Sequence, residues 1–98
     1  MMTLDAFRQS LSAAEPPADV GPALQALWWL GKDDWTQAHK VCQAHEDDAD
    51  CNWVHAHLHR QEGDLSNARH WYHTAGRAMP TNSLKEEWEA LAAGFLAG

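Results

Sequence analysis

Moved along itself by 30 residues, the chain lays Asp34-Trp35-Thr36-Gln37-Ala38 over Asp64-Leu65-Ser66-Asn67-Ala68. The same shift puts Ala26 on Ala56, Trp28 on Leu58 and Val41 on Trp71. A period of this length marks a copied supersecondary unit whose apolar face needs a neighbour to cover it. Each copy reads as a helix, a tight turn at an acidic residue, and a second helix. Ala38 and Ala68 lie one turn into that second helix, where a small side chain lets two helices approach closely. Strand signals are nearly absent: there is no Asn-Gly or Asp-Gly turn, and Ala, Leu, Gln and Glu abound.

Breakers and caps divide the 98 residues into six short helical segments. The first runs from about Thr3, a plausible N-cap, to Ala13, with Leu4, Phe7 and Leu11 at helical spacing. Pro16-Pro17 forces an extended linker, and Pro22 suits the first turn of a second helix reaching about Leu30. Asp33 or Asp34 caps a third, running to about Glu46; Asp48 or Asp50 caps a fourth, ending before Gly63. Asp64 opens a fifth that reaches about Gly76, with Pro80 as a stop. Ser83 and Glu86 have capping-box spacing and start a sixth helix striped by Leu84, Trp88, Leu91 and Phe95. The expectation is one all-α domain, 1–98, with a first repeat at about 20–49, a second at about 50–80, and a capping helix at about 83–97. Two repeats leave apolar faces at both ends. Trp88, Leu91 and Phe95 are expected to cover the face after the second repeat, and the first helix to cover or fold across the other.

The second copy resembles the tetratricopeptide repeat. Counted back from Pro80, Ala56 falls on that family's small helix-A position and Gly63-Asp64 on its turn; Ala68, Tyr72 and Ala75 fall on small, aromatic and small positions of helix B. Asn52, His55 and His59 depart from the usual Trp, Leu and Tyr. The first copy keeps Leu27, Asp34 and Ala38 but lacks the proline. The resemblance implies a right-handed array of antiparallel helix pairs whose helix-A face lines a concave groove for extended peptides. The stretch from Trp53 to Arg60, with Trp71-Tyr72, is also similar to a small group of uncharacterised microbial proteins, a likeness that bears on the fold only.

Charge and composition narrow the function. A net charge of −7, from 14 acidic against 7 basic residues, argues against nucleic acid and against an anionic membrane surface. No run approaches the roughly 18–20 apolar residues that span a bilayer. Asp5 and Arg8-Gln9-Ser10 make the first residues unlike a signal peptide, so a cytoplasmic location is expected. Cys42 and Cys51 are too few for a disulfide scaffold and lack basic neighbours to stabilise a thiolate, so both read as small core residues. No serine sits in a strained-turn context, no glycine loop cradles phosphate, and paired carboxylates occur only at Asp47-Asp48 and Glu86-Glu87, in runs that read as solvated. Neither catalysis nor a cofactor is expected.

Two constellations stay open. Trp53, His57 and Arg60 stand at i, i+4 and i+7 on one face of the fourth helix, flanked by Gln61 and Asp50. Ala23, Leu27 and Leu30 make the equivalent face of the second helix apolar. A Trp anchor beside a guanidinium and an imidazole suits a peptide or partner helix, so Trp53, His57, Arg60, Gln61 and Leu27 form the expected partner-binding face. Its rival has that face covered by the N-terminal helix, with Arg60 paired to Asp5 or Asp19. The same helix carries His55 and His59, about 40° apart at the i, i+4 spacing that can hold a metal, while His57 points the other way. No His-Glu-x-x-His motif is present, and two packed, hydrogen-bonded imidazoles are the plainer account of His55 and His59. A His-dependent metal protein would draw a further ligand from a neighbouring helix. A third reading, a small self-associating structural protein, would sediment as a homodimer.

Overall fold

Five helices start at a Thr, Asp or Ser whose side chain takes a backbone N–H of the first turn: Thr3, Asp34, Asp48, Asp64 and Ser83. The other starts with Pro22, whose missing N–H costs nothing there. The computed structural model describes residues 2–98, and among them these caps open six helices with no strand. They are α1 (Leu4–Ser10), α2 (Pro22–Gly31), α3 (Trp35–Gln43), α4 (Ala49–Gln61), α5 (Leu65–Ala75) and α6 (Leu84–Ala97). Ser83 and Glu86 form the capping box in both directions. Two expected ends are too long. After Ser10 the chain tightens into i−3 turns, Leu11 N–H to Arg8 O and Ser12 N–H to Gln9 O. After Gln43 it turns through His45 N–H to Cys42 O. No helix among the described residues is long and apolar enough to cross a membrane.

The 30-residue period is visible atom by atom in the two turns. Asp34 N–H bonds to Trp29 O at 2.9 Å, and Asp64 N–H to His59 O at 3.0 Å. Lys32 N–H to Trp28 O matches Glu62 N–H to Leu58 O, both at 3.2 Å. Both turns need a residue of positive φ. The second supplies Gly63 at φ 84°, the first Asp33 at φ 60°, one of the few non-glycine types that tolerate it.

α2 packs on α3 and α4 on α5 as two hairpins, and α3 joins them by packing against α4. The repeated alanines mark the close approaches: Ala26, Ala56, Ala38 and Ala68 are all wholly buried. The main core gathers Phe7, Leu27, Trp28, Val54, Leu58 and Leu91. A smaller cluster forms around Ala56, Ala68 and Tyr72.

α6 does not sit where the stripe suggested. Its main packing is against α2, α4 and α1, so it lies across the first helix of each hairpin instead of stacking beyond the second hairpin. Trp88 donates its indole N–H to Leu27 O at 2.9 Å, Leu91 is buried, and Phe95 meets the edge of Trp53. The apolar strip Ala23, Leu27 and Leu30 of α2 is buried, and α6 packs against that helix. Gly31 permits this approach. A Cβ there would fall 2.9 Å from Leu11 Cδ2 and 3.2 Å from Trp88 Cζ2. α1 closes the same end through Phe7, through Trp28 Nε1–H to Ser10 Oγ, and through Lys32 Nζ donating to Leu11 O and Ala13 O.

Candidate functional site

The expected partner-binding face is assembled but filled. Leu27 is wholly buried and His57 is 2% exposed, both beneath α6. Trp53 is half-buried, with Arg77 stacked 4.0 Å from its ring centroid. Gln61 alone among the five is exposed. Arg60 pairs with neither Asp5 nor Asp19: it donates to Glu87 Oε1 at 2.9 Å and also reaches the backbone carbonyl of Asn82. Asp5 holds Arg8 instead. The covering element is α6, and its partner on this face is one carboxylate.

Glu87, read from sequence as solvated, is 4% exposed. His57 Nδ1–H donates to it at 2.6 Å and the Tyr72 hydroxyl at 2.6–2.8 Å, beside the Arg60 bond. Burial alone would raise its carboxyl; the His57 and Tyr72 hydrogen bonds, the His57 charge and the Arg60 bond outweigh this and hold it below the ordinary 4.5. Burial and the Glu87 bond push the Tyr72 phenol up. A signal for Glu87 existed in the sequence. It is spaced three from Leu84 and four from Leu91, on the apolar stripe, where a carboxylate must find partners.

Between α1, α2, α4 and α6 a cleft of about 440 Å³ remains. Leu11, Leu30, Leu84 and Trp88 wall it, with His57 and Gln61 among its polar lining. His57 Nδ1 is committed to the Glu87 carboxylate, which fixes the orientation of the ring at the base of the cleft.

On the opposite side of α4, His55 and His59 meet His39 of α3, a residue without any sequence motif around it. Their ligating nitrogens all lie within 4.8 Å of one another. His39 Nε2 and His55 Nε2 are 3.1 Å apart. Trp35 stacks on His39 at 4.7 Å and Trp71 on His55 at 4.0 Å, fixing both ring planes. His59 Nδ1–H donates to Glu62 Oε1 at 2.5 Å, and its Nε2 faces the Asn67 side-chain amide nitrogen at 3.4 Å. His55 Nδ1 is buried without a partner. Burial, with His39, His59 and His70 adding repulsion, pushes the His55 imidazole from 6.5 down to about 4. Burial and His59 lower His39 too, against the opposing pull of Glu62 and Glu46.

A folded pKa below the unfolded one means that the unfolded chain binds the proton first. Stability is therefore full above pH 6.5 and falls as the pH drops from 6.5 to about 4, by about 3 kcal/mol for His55. In metal-free buffer the Tm is expected to fall steadily across that window, and His55→Gln to flatten the fall. A Tm independent of pH there would refute it.

Cys42 and Cys51 are both free thiols. Both are wholly buried; burial pushes the Cys42 thiol up, and burial with Asp48, Asp50 and Asp47 pushes Cys51 up to about 12. No protein-family model, curated protein or solved structure matches the chain.

Proposed function

We propose that the domain is a tetratricopeptide-like array serving as a non-catalytic docking module, which receives one apolar anchor side chain of a partner peptide in the cleft beside α6. Two hairpins with matching turns and matching buried alanines support the repeat reading. The observation that carries the docking reading is the cleft itself: about 440 Å³, with apolar area from Leu11, Leu30, Leu84 and Trp88 and the charged side chains Arg8, Asp33, Lys85 and Glu89 in its lining. Leu84 at its lip is 37% exposed, one of only two large hydrophobics so open among the described residues. The Gln61 side-chain oxygen, exposed at the cleft, accepts a hydrogen bond, which suits a peptide N–H next to the anchor. α6 thus takes over the groove floor and shifts the receiving surface from Trp53 and Arg60 to its own flank.

A random-peptide library displayed on phage tests this. Enriched peptides are expected to share one large apolar residue, Leu84→Glu to weaken them about tenfold or more, and Trp53→Ala to leave them nearly unchanged. No shared apolar residue, or indifference to Leu84→Glu, overturns the reading.

A further inference from the structure

We infer that His39, His55 and His59 form a binding site for a divalent transition-metal ion of the zinc class, bridging the two repeats. The donor set points to this chemistry. Neutral imidazoles suit zinc, nickel and copper, whereas magnesium and calcium take oxygen ligands. A tetrahedral zinc with bonds of about 2.0–2.1 Å holds its nitrogen ligands roughly 3.3 Å apart. His39 Nε2 and His55 Nε2 already stand at 3.1 Å, and the nitrogen of His59 lies within 4.8 Å of both. Closing the set draws the ligating atoms together by at most about 1.5 Å, the difference between 4.8 Å and that spacing.

Three further features favour a dication over three rings packed for their own sake. His59 donates its Nδ1–H to the Glu62 carboxylate, the arrangement that fixes a ligand's tautomer and raises the basicity of its other nitrogen. Trp35 and Trp71 stack on the other two rings and hold their planes before any ion arrives. The acids Glu62 and Asp64 lie beside His59, close enough to offset the charge of a bound cation. His39 is half-buried, so one side of the cluster meets solvent and the fourth position falls to water. His39 comes from α3 and the other two from α4, so an ion there fastens the first hairpin to the second.

The experiment is calorimetric titration of the full chain with zinc alone, repeated with magnesium, and with cobalt followed by absorbance. One equivalent of zinc is expected to bind and to raise the Tm, reversibly with chelator. Cobalt should give the intense visible bands of a four-coordinate site, and magnesium no heat. His39→Ala should weaken zinc binding about 100-fold and Glu62→Gln about 10–100-fold, whereas His73→Ala on the exposed side of α5 leaves it unchanged. Should His39→Ala unfold the chain, His39→Gln, which keeps a polar side chain at that position, gives the same test. No zinc heat, equal affinity in the His39 and Glu62 variants, or a cobalt spectrum of a six-coordinate aquo ion overturns the site. None of these outcomes touches the cleft on the other side of α4.

Discussion

Removing residues 81–98 is expected to leave a chain without cooperative unfolding. α6 contributes Leu91 and Ala92 to the main core, and Trp88 and Phe95 pack against it. Burying one large apolar side chain fully brings about 1.5–3 kcal/mol. Three such residues, two of them partly buried, therefore rival the roughly 5–15 kcal/mol of net stability a small domain holds. The loss goes beyond these side chains. Leu27 and Leu30 on α2 would face water, and Trp88 would no longer hold the Leu27 carbonyl. His57, Arg60 and Tyr72 would lose their shared acceptor in the same stroke. The truncated chain should keep its far-ultraviolet helical signal, lose near-ultraviolet dichroism from its remaining tryptophans, and bind a hydrophobic dye. A truncated monomer that melts in one sharp transition with native near-ultraviolet signal would show the two hairpins to be self-sufficient.

What the sequence made legible follows from how local each signal is. Thr3, Asp34, Asp48, Asp64 and Ser83 act on N–H groups two or three residues away, so their capping could be read without tertiary information. The 30-residue shift survives because both turns close the same backbone hydrogen bonds. The resting place of α6 was not legible. Its stripe shows that one face is buried but not against which helices, and Leu84 lies on that stripe yet is 37% exposed. Glu87 was hidden by the same gap: a carboxylate beside Glu86 looks solvated until Arg60, His57 and Tyr72 are brought to it across 27, 30 and 15 residues. His39 had no spacing to announce it. His55 and His59 share a helix, whereas their third partner is set by how closely α3 approaches α4, which the buried Ala38 permits but does not advertise.

Glu87→Leu is expected to cost about 3–5 kcal/mol, the range for removing one partner of a buried ionic cluster. Leucine matches the apolar stripe of α6, so lost volume is a minor part of the effect. The larger part is what the other groups lose. Tyr72 is 1% exposed and His57 2%, so neither can replace its lost acceptor with bulk solvent. Arg60 suffers least, because its side chain is 14% exposed and keeps the Asn82 carbonyl. Two comparisons separate acceptor from charge. Glu87→Gln preserves an acceptor oxygen of similar size and is expected to cost only about 1–2 kcal/mol. Tyr72→Phe should cost less in the Glu87→Leu background than in the wild type, because the hydroxyl it removes is already unpaired there. The pH profile gives an independent reading. A carboxyl held below 4.5 in the folded state stabilises above that pH and loses its contribution as the pH falls through the folded value. Glu87→Leu should therefore remove part of the acid sensitivity below pH 4.5, while the fall between 6.5 and about 4 that belongs to His55 persists. Urea midpoints at constant m-value report each difference. A Glu87→Leu midpoint within about 1 kcal/mol of wild type would mean that apolar contact alone holds α6 to the repeats, and that the buried carboxylate is dispensable to the fold.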